Sequence, residues 1–162
     1  MRLLQTFGIL TTFLLGSSRT APVPDPDPKS ILDFLPKKHV HDCGKSTWYN
    51  DTSVDSPLAS DCMVVVTNIQ NGGSWTVENF ISKEHQLVQY GTCAFSVVGS
   101  EPNALATYYM IGNEDIRSAI IESVNRYMGA GSGRVGAWGR FHCQGGAPSY
   151  GYDVKWRIFP NH

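Results

Sequence analysis

Charge is scarce in this chain: Asp, Glu, Lys and Arg make up 17% of its 162 residues. Neither sign dominates, with 13 Lys and Arg against 14 Asp and Glu. So even a balance gives no molecule-wide field to hold nucleic acid or an anionic lipid surface, and neither partner is expected. Cysteine is limited to four residues, which two disulfides would consume, leaving no thiol to act as a nucleophile. Gly-x-Ser-x-Gly, the turn that presents a hydrolase serine, does not occur. No segment after the N-terminal region is apolar enough to stay in a membrane, and the tail Arg-Ile-Phe-Pro-Asn-His at 157–162 is too short and polar for a lipid-anchor signal. No membrane anchor and no cofactor are expected.

What is present begins with an export signal. Arg2 precedes an apolar run over residues 3–15, too short to cross a bilayer, and Gly16, Ser17 and Ser18 are the small residues a signal peptidase accepts. Residues 1–18 therefore read as a signal peptide and the protein as extracellular, a compartment that favours disulfides. Arg2 is the only charged residue in that stretch, so 12 basic residues would face 14 acidic ones, a net charge near −2. Residues 19–38 form a Pro/Asp-rich leader. Its run Ala-Pro-Val-Pro-Asp-Pro-Asp-Pro at 21–28 excludes helix and ladder bonding. The leader ends in Lys37-Lys38, a dibasic processing candidate. Residues 39–162 then form one domain, a monomer built on one core.

Two helices are legible. Ser56-Pro57 supplies an N-cap and a proline at the first helical position. Leu58, Cys62, Val65, Val66 and Ile69 then fall on one helical face, and Asn71-Gly72-Gly73 ends it. The second helix opens at Asn113, where Glu114 and Asp115 complement the helix dipole. Its stripe is Ile116, Ala119, Ile120, Val124 and Tyr127, and Gly129 stops it. Elsewhere the period is two. Cys93, Phe95 and Val97 share one face; Tyr152, Val154, Trp156 and Ile158 alternate with Asp153, Lys155 and Arg157. Segments 46–50, 74–78, 86–90, 104–111 and 134–143 are further strand candidates. Short turns between strands predict an α+β fold: an antiparallel sheet with both helices packed on one face, in a small disulfide-braced domain.

Candidates for chemistry are few. His39-Val40-His41-Asp42 would place both imidazoles on one side of an extended segment, but without a third ligand no metal site is expected. Arg140 and His142 flank Phe141, and with Glu101 or Glu114 they would supply the base, acid and cation of a ribonuclease-like set. Their alternation favours the solvent face of a sheet instead. Gly129-Ala-Gly-Ser-Gly133, before Arg134, follows a helix where a phosphate loop precedes one, so it reads as a helix stop. Asn50-Asp51-Thr52 is a glycosylation sequon, with Asn50 the acceptor. Among Trp48, Trp75, Trp138 and Trp156 some could offer a sugar-stacking platform, while burial is the commoner fate of such rings. No catalytic residues are assigned, and the chain is not expected to be an enzyme.

Taken in order, several motifs resemble one family. They are Asp42-Cys43-Gly44, Ser-Pro-Leu-Ala-Ser-Asp-Cys at 56–62, Gly-Thr-Cys-Ala-Phe at 91–95 and Gly-Asn-Glu-Asp-Ile at 112–116. Gly-Arg-Val-Gly-Ala-Trp-Gly-Arg-Phe-His-Cys at 133–143 and Tyr-Asp-Val-Lys-Trp at 152–156 complete the set. The order is similar to that of the fungal necrosis-inducing effectors called "extracellular protein two", from about residue 42 to 159. The resemblance implies a secreted fungal effector that binds a host or competitor surface target and provokes necrosis or a defence response. It also implies a fold like that of small killer toxins, and it transfers a physical role only to Cys43, Cys62, Cys93 and Cys143. A small secreted hydrolase or ribonuclease-like toxin and a killer-toxin-like channel blocker remain as rival functions. Four cysteines allow three connectivities. Cys62 lies on the helix stripe and Cys93 on a core-facing strand face, so a Cys62–Cys93 bridge is expected, leaving Cys43–Cys143 to tie the domain's start to its last hairpin.

Overall fold

A computed structural model describes residues 39–79, 83–99, 108–129, 131–145 and 151–161. The expected signal peptide 1–18, the leader 19–38 with Lys37-Lys38, the acid Glu101 and the strand start at 104–107 lie outside the described residues.

The alternation after residue 150 forms β7 (Gly151–Pro160), in which Tyr152, Val154, Trp156 and Ile158 are buried while Asp153, Lys155 and Arg157 are exposed. β7 is the middle of a five-stranded antiparallel sheet. Beside it on one side lie β6 (Ala137–Gln144) and then β1 (Tyr49–Asn50); on the other lie β4 (Cys93–Gly99) and then β3 (His85–Tyr90). Register is fixed by pairs such as Phe95 opposite Ile158 and Phe141 opposite Val154, which keep the apolar sides of three strands on one face. β3 carries an irregularity between Gln86 and Val88.

Two more strands, β2 (Ser74–Glu78) and β5 (Tyr108–Gly112), form a separate two-stranded sheet, Ser74 opposite Gly112 and Glu78 opposite Tyr108, joined to the residue after β6 by an isolated bridge from Tyr109 to Gly145. The described strands thus form two antiparallel sheets where one was expected. Alternation identifies a strand but not its partner, and β2 and β5 satisfy their ladder bonds with one another.

The first helix, α1 (Ala59–Asn68), packs on β3 and β4 and against the second, α2 (Asn113–Tyr127), which also packs on β5. Cys62, Val65, Val66 and Ile69 are buried as the stripe requires, and Ala59 joins them while Leu58 is only half-buried. The expected cap is corrected. Ser56 is not the N-cap; its hydroxyl accepts the Ser53 N–H at 2.8 Å, and Leu58 occupies the cap position. Leu58 is held there by a bridge to Arg134, in which Ala59 N–H donates to Gly133 O at 2.8 Å and Val135 N–H to Pro57 O at 2.9 Å.

Asn113 likewise does more than open α2. It is fully buried, its Oδ1 accepts the Val40 N–H at 2.9 Å, and its Nδ2 donates to Ile69 O at the end of α1 at 3.1 Å. Gly112 is the cap, and Asp115 Oδ2 closes the turn by accepting its N–H at 2.9 Å. Two disulfides brace the whole. Cys43–Cys143 spans 100 residues of sequence and joins directly opposed residues of an isolated antiparallel bridge, Cα–Cα 3.9 Å. Gly44 N–H to His142 O and Gln144 N–H to Asp42 O flank it, which makes it a non-hydrogen-bonded pair, where opposing Cα atoms come closest. Cys62–Cys93 joins α1 to β4 across 31 residues. It is aligned by Asp61, whose Oδ2 accepts both the N–H and the hydroxyl of Thr92 at 2.8 Å. Those two bonds hold the Asp61 carboxyl below the ordinary range.

Candidate functional site

β-strand alternation sends one set of side chains inward to the core and leaves the other on the opposite face of the five-stranded sheet. From β1 across to β7 that outer face carries Tyr49, then Trp138, Arg140 and His142, then Asp153, Lys155 and Arg157. Tyr49 stacks on Trp138 with ring centroids 4.3 Å apart and planes 19° from parallel. The Lys155 ammonium lies 4.7 Å from the centroid of the same indole, a cation–π contact. Trp138 is therefore half-buried by its neighbours, while Tyr49 keeps 49% of its surface open at the sheet edge.

The charges on this face are unequally matched. Arg157 grips Glu84, with Nη2 to Oε2 at 2.8 Å and Nε on Oε1, and lies over the Phe159 ring at 4.5 Å. Burial works to raise the Glu84 carboxyl, but bonds from Arg157 and Ser96 and the charges of Arg157 and Lys155 bring it below the ordinary glutamate range. His142 Nδ1 lies 3.0 Å from Asp153 Oδ1, both well exposed. Arg140 sits directly opposite Lys155, and neither has a carboxylate within ion-pairing distance among the described residues. Next to them, Glu84, Ser96, Val98, Lys155, Trp156 and Arg157 line a shallow depression of about 160 Å³.

Arg140 and His142 thus occupy the exposed sheet face. Of the acids considered with them, Glu101 lies outside the described residues, and Glu114 is engaged elsewhere with Arg117 Nη1 and with His39 Nδ1 at 2.7 Å. Burial would raise Glu114, but the hydrogen bonds and charges of His39 and Arg117 outweigh it and lower its pKa. His41 Nδ1 reaches a different carboxylate, Asp115 Oδ1, at 3.3 Å. The two imidazoles therefore contact separate acids, and no group of three metal-ligating side chains assembles among the described residues. Asp115 is buried, which pushes its pKa up despite the N–H groups of Asp42, Gly112 and Cys43 and the His41 ring. This cluster straps residues 39–43 across the N-terminus of α2, a structural task that rests on contacts made across 73 to 75 positions of sequence and so leaves no local pattern.

Asn50 is exposed in β1, where its Oδ1 accepts the Thr52 N–H at 3.0 Å. The Thr52 hydroxyl lies 3.1 Å from both Tyr127 O and Gly136 O and accepts the Gly136 N–H at 3.0 Å, so the third residue of the sequon also ties the β1 segment to the end of α2. Gly129 N–H donates to Arg134 O at 3.0 Å as the chain leaves α2, and Arg134 Nη1 donates to Ser56 O at 2.6 Å. Trp156 is wholly buried against Phe95 and Phe141, its Nε1 donating to Ser46 Oγ at 2.9 Å. Trp48 and Trp75 are half-buried at the core's margin, with Arg126 4.8 Å from the Trp48 ring. Only Trp138 belongs to the outer sheet face. No helix among the described residues is long and apolar enough to cross a membrane.

Two small antiparallel sheets, two helices and two disulfides define an α+β domain whose outward chemistry is aromatic and cationic. Comparison with known proteins gives that domain a family. Residues 42–143 match Hce2, described as "Pathogen effector; putative necrosis-inducing factor", and the chain belongs to that family. It is also similar to two proteins of Penicillium expansum. It is 30% identical over 152 residues to the one named "Probable chitinase LysM18", covering 93% of this chain and 10% of that protein. It is 30% identical over 116 residues to "Secreted chitinase LysM12", covering 71% of this chain and 7% of that protein. The chain thus spans a tenth or less of the length of these relatives. Effector membership and two disulfides are consistent with a secreted protein.

Proposed function

We propose that this protein is a secreted effector that acts by binding, without catalysis, a component of a host or competitor surface, and that binding provokes necrosis or a defence response. The observation that carries this reading is the family match over residues 42–143, the stretch that includes both disulfides. A killer-toxin-like fold belongs to the same reading, supported by the α+β architecture with antiparallel sheets. The absence of catalysis is supported by the setting of His142, the only histidine on the outer sheet face among the described residues: its side chain is 67% exposed and hydrogen-bonded to a carboxylate 61% exposed. General acid–base groups work best where water is excluded and the partner is fixed.

A second reading draws on the printed names of the two relatives, both called chitinases. In it the domain serves an enzyme directed at competitor walls, as a binding or toxic accessory. One experiment addresses both. Purified protein is infiltrated into leaf tissue beside the His142→Ala variant, and the same preparations are assayed for turnover of RNA and chitin. Equal cell death from both preparations, with no turnover, is the expected result. Turnover that disappears with His142 would overturn the non-catalytic reading.

A further inference from the structure

Directly opposed like charges destabilise an antiparallel pair, yet Arg140 and Lys155 face each other on the outer sheet face. On either side the charges are engaged, Arg157 with Glu84 and Asp153 in a hydrogen bond with His142. A pair with no carboxylate in ion-pairing range among the described residues, beside an open tyrosine, fits a ligand that brings its own negative charge and a flat apolar surface. We propose that this face binds an acidic polysaccharide, a chain of uronate sugars, with the Arg140 guanidinium and Lys155 ammonium receiving its carboxylates and Tyr49 stacking against a sugar ring. The proposal rests on the binding reading above and names its ligand class.

Charge and shape select this occupant. The planar guanidinium of Arg140 matches a carboxylate through two parallel N–H bonds, and Lys155 adds a point charge beside it. The face as a whole carries three cations, Arg140, Lys155 and Arg157, against two acids, Glu84 and Asp153, a surplus of one. So small a surplus is poor for duplex nucleic acid, which carries one charge per about 1.7 Å, and better suited to carboxylates set a sugar ring apart. A lipid surface calls for an apolar face free to sink below the headgroups, whereas Tyr49 and Trp138 are stacked on each other and Trp138 and Phe159 lie half-buried under Lys155 and Arg157. A sugar chain offers C–H faces for the tyrosine and carboxylates spaced along its length.

The test uses the full secreted chain with polygalacturonate as probe, followed by calorimetry at low and moderate salt. Methyl-esterified polygalacturonate, a chitin hexamer, single-stranded DNA and phosphatidylserine vesicles are run beside it. The decisive variant is Arg140→Glu, which sets an acid opposite Lys155. It should raise the thermal midpoint by removing the repulsion while weakening polygalacturonate binding about tenfold or more, the loss of one charge-assisted contact. Tyr49→Ala should weaken binding with the midpoint little changed. Stronger binding to DNA or vesicles than to polygalacturonate, equal binding to the esterified polymer, or undiminished binding by Arg140→Glu would each overturn the proposal. The leaf response of the wild-type protein is scored separately. Cell death without polygalacturonate binding would remove the ligand assignment and leave the effector reading intact; binding without cell death would do the reverse.

Discussion

Gly139 is the position where one added methyl group should do most damage. It lies in β6 on the core face, opposite Trp156 of β7, and its backbone is not in the left-handed region. Its glycine is a matter of space. A Cβ there would stand 1.8 Å from Thr47 O and 2.6 Å from Trp156 Cζ2. Neither neighbour yields easily. Thr47 is held by its N–H to Arg140 O and its Oγ1 to Arg140 N–H, both at 3.0 Å, and Trp156 is fully buried with its indole N–H on Ser46. Overpacking a core by one methyl costs about 1–3 kcal/mol, and the contacts here lie at the severe end. Displacing Trp156 from Ser46 adds about 1 kcal/mol. Gly139→Ala should therefore cost about 3–4 kcal/mol, a large part of the roughly 5–15 kcal/mol that keeps a domain folded. Gly131→Ala is the control. Its φ is +87° and nothing lies within 4 Å of the added Cβ, so only backbone strain of about 1–2 kcal/mol is expected. Urea unfolding of the oxidised proteins, followed by tryptophan fluorescence, measures both. A cost below about 1 kcal/mol for Gly139→Ala, or a larger cost for Gly131→Ala, would refute the reasoning.

The two disulfides should differ in worth. Loop-closure entropy assigns about 4.7 kcal/mol to a 100-residue loop and about 3.7 to one of 31 residues. Paired Cys→Ala variants at 43 and 143 should thus unfold at lower urea than those at 62 and 93; the reverse order would show that packing of the buried Cys62 and Cys93 sulfurs dominates. Glu114 bears on pH. A carboxylate whose pKa is lower in the fold stabilises above its unfolded value near 4.3 and loses that contribution as pH falls through the lower folded value. Glu114→Gln should reduce stability at pH 6 and flatten the decline between about pH 5 and 3. An acid limb unchanged in slope would exclude the pairing with His39 and Arg117 as its source.

Much of the fold is visible in local pattern. The buried face of α1 is written in Cys62, Val65, Val66 and Ile69, and the alternation of residues 152–158 describes β7 before any partner is known. Local pattern fails where distant residues decide. Ser56 has the chemistry of an N-cap, but the bridge between Leu58 and Arg134 delays the helix. Asn113 reads as a helix start, yet its amide joins α1 to the strap at Val40. The outer face follows the same rule. That Arg140 and His142 point outward follows from period two, whereas the opposition of Arg140 to Lys155 depends on a register set by the whole sheet. Four tryptophans look equivalent in sequence, and only their neighbours distinguish buried Trp156 from Trp138.

The order of the strands has a consequence for how the molecule is made. β7 follows every other element in the sequence and sits between β4 and β6, outside the stretch closed by Cys43–Cys143. It also lies beyond residue 143, where the family match ends. Without residues 151–160, β3–β4 and β6–β1 would share no ladder. Each would present an unpaired edge, with Phe95 and Val97 on one and Phe141 on the other. In a chain threaded N-terminus first into an oxidising compartment, all four cysteines would arrive before the strand that joins the halves. A fragment cut at the family boundary would carry both disulfides and two sticky edges, the combination that leads to intermolecular strand pairing.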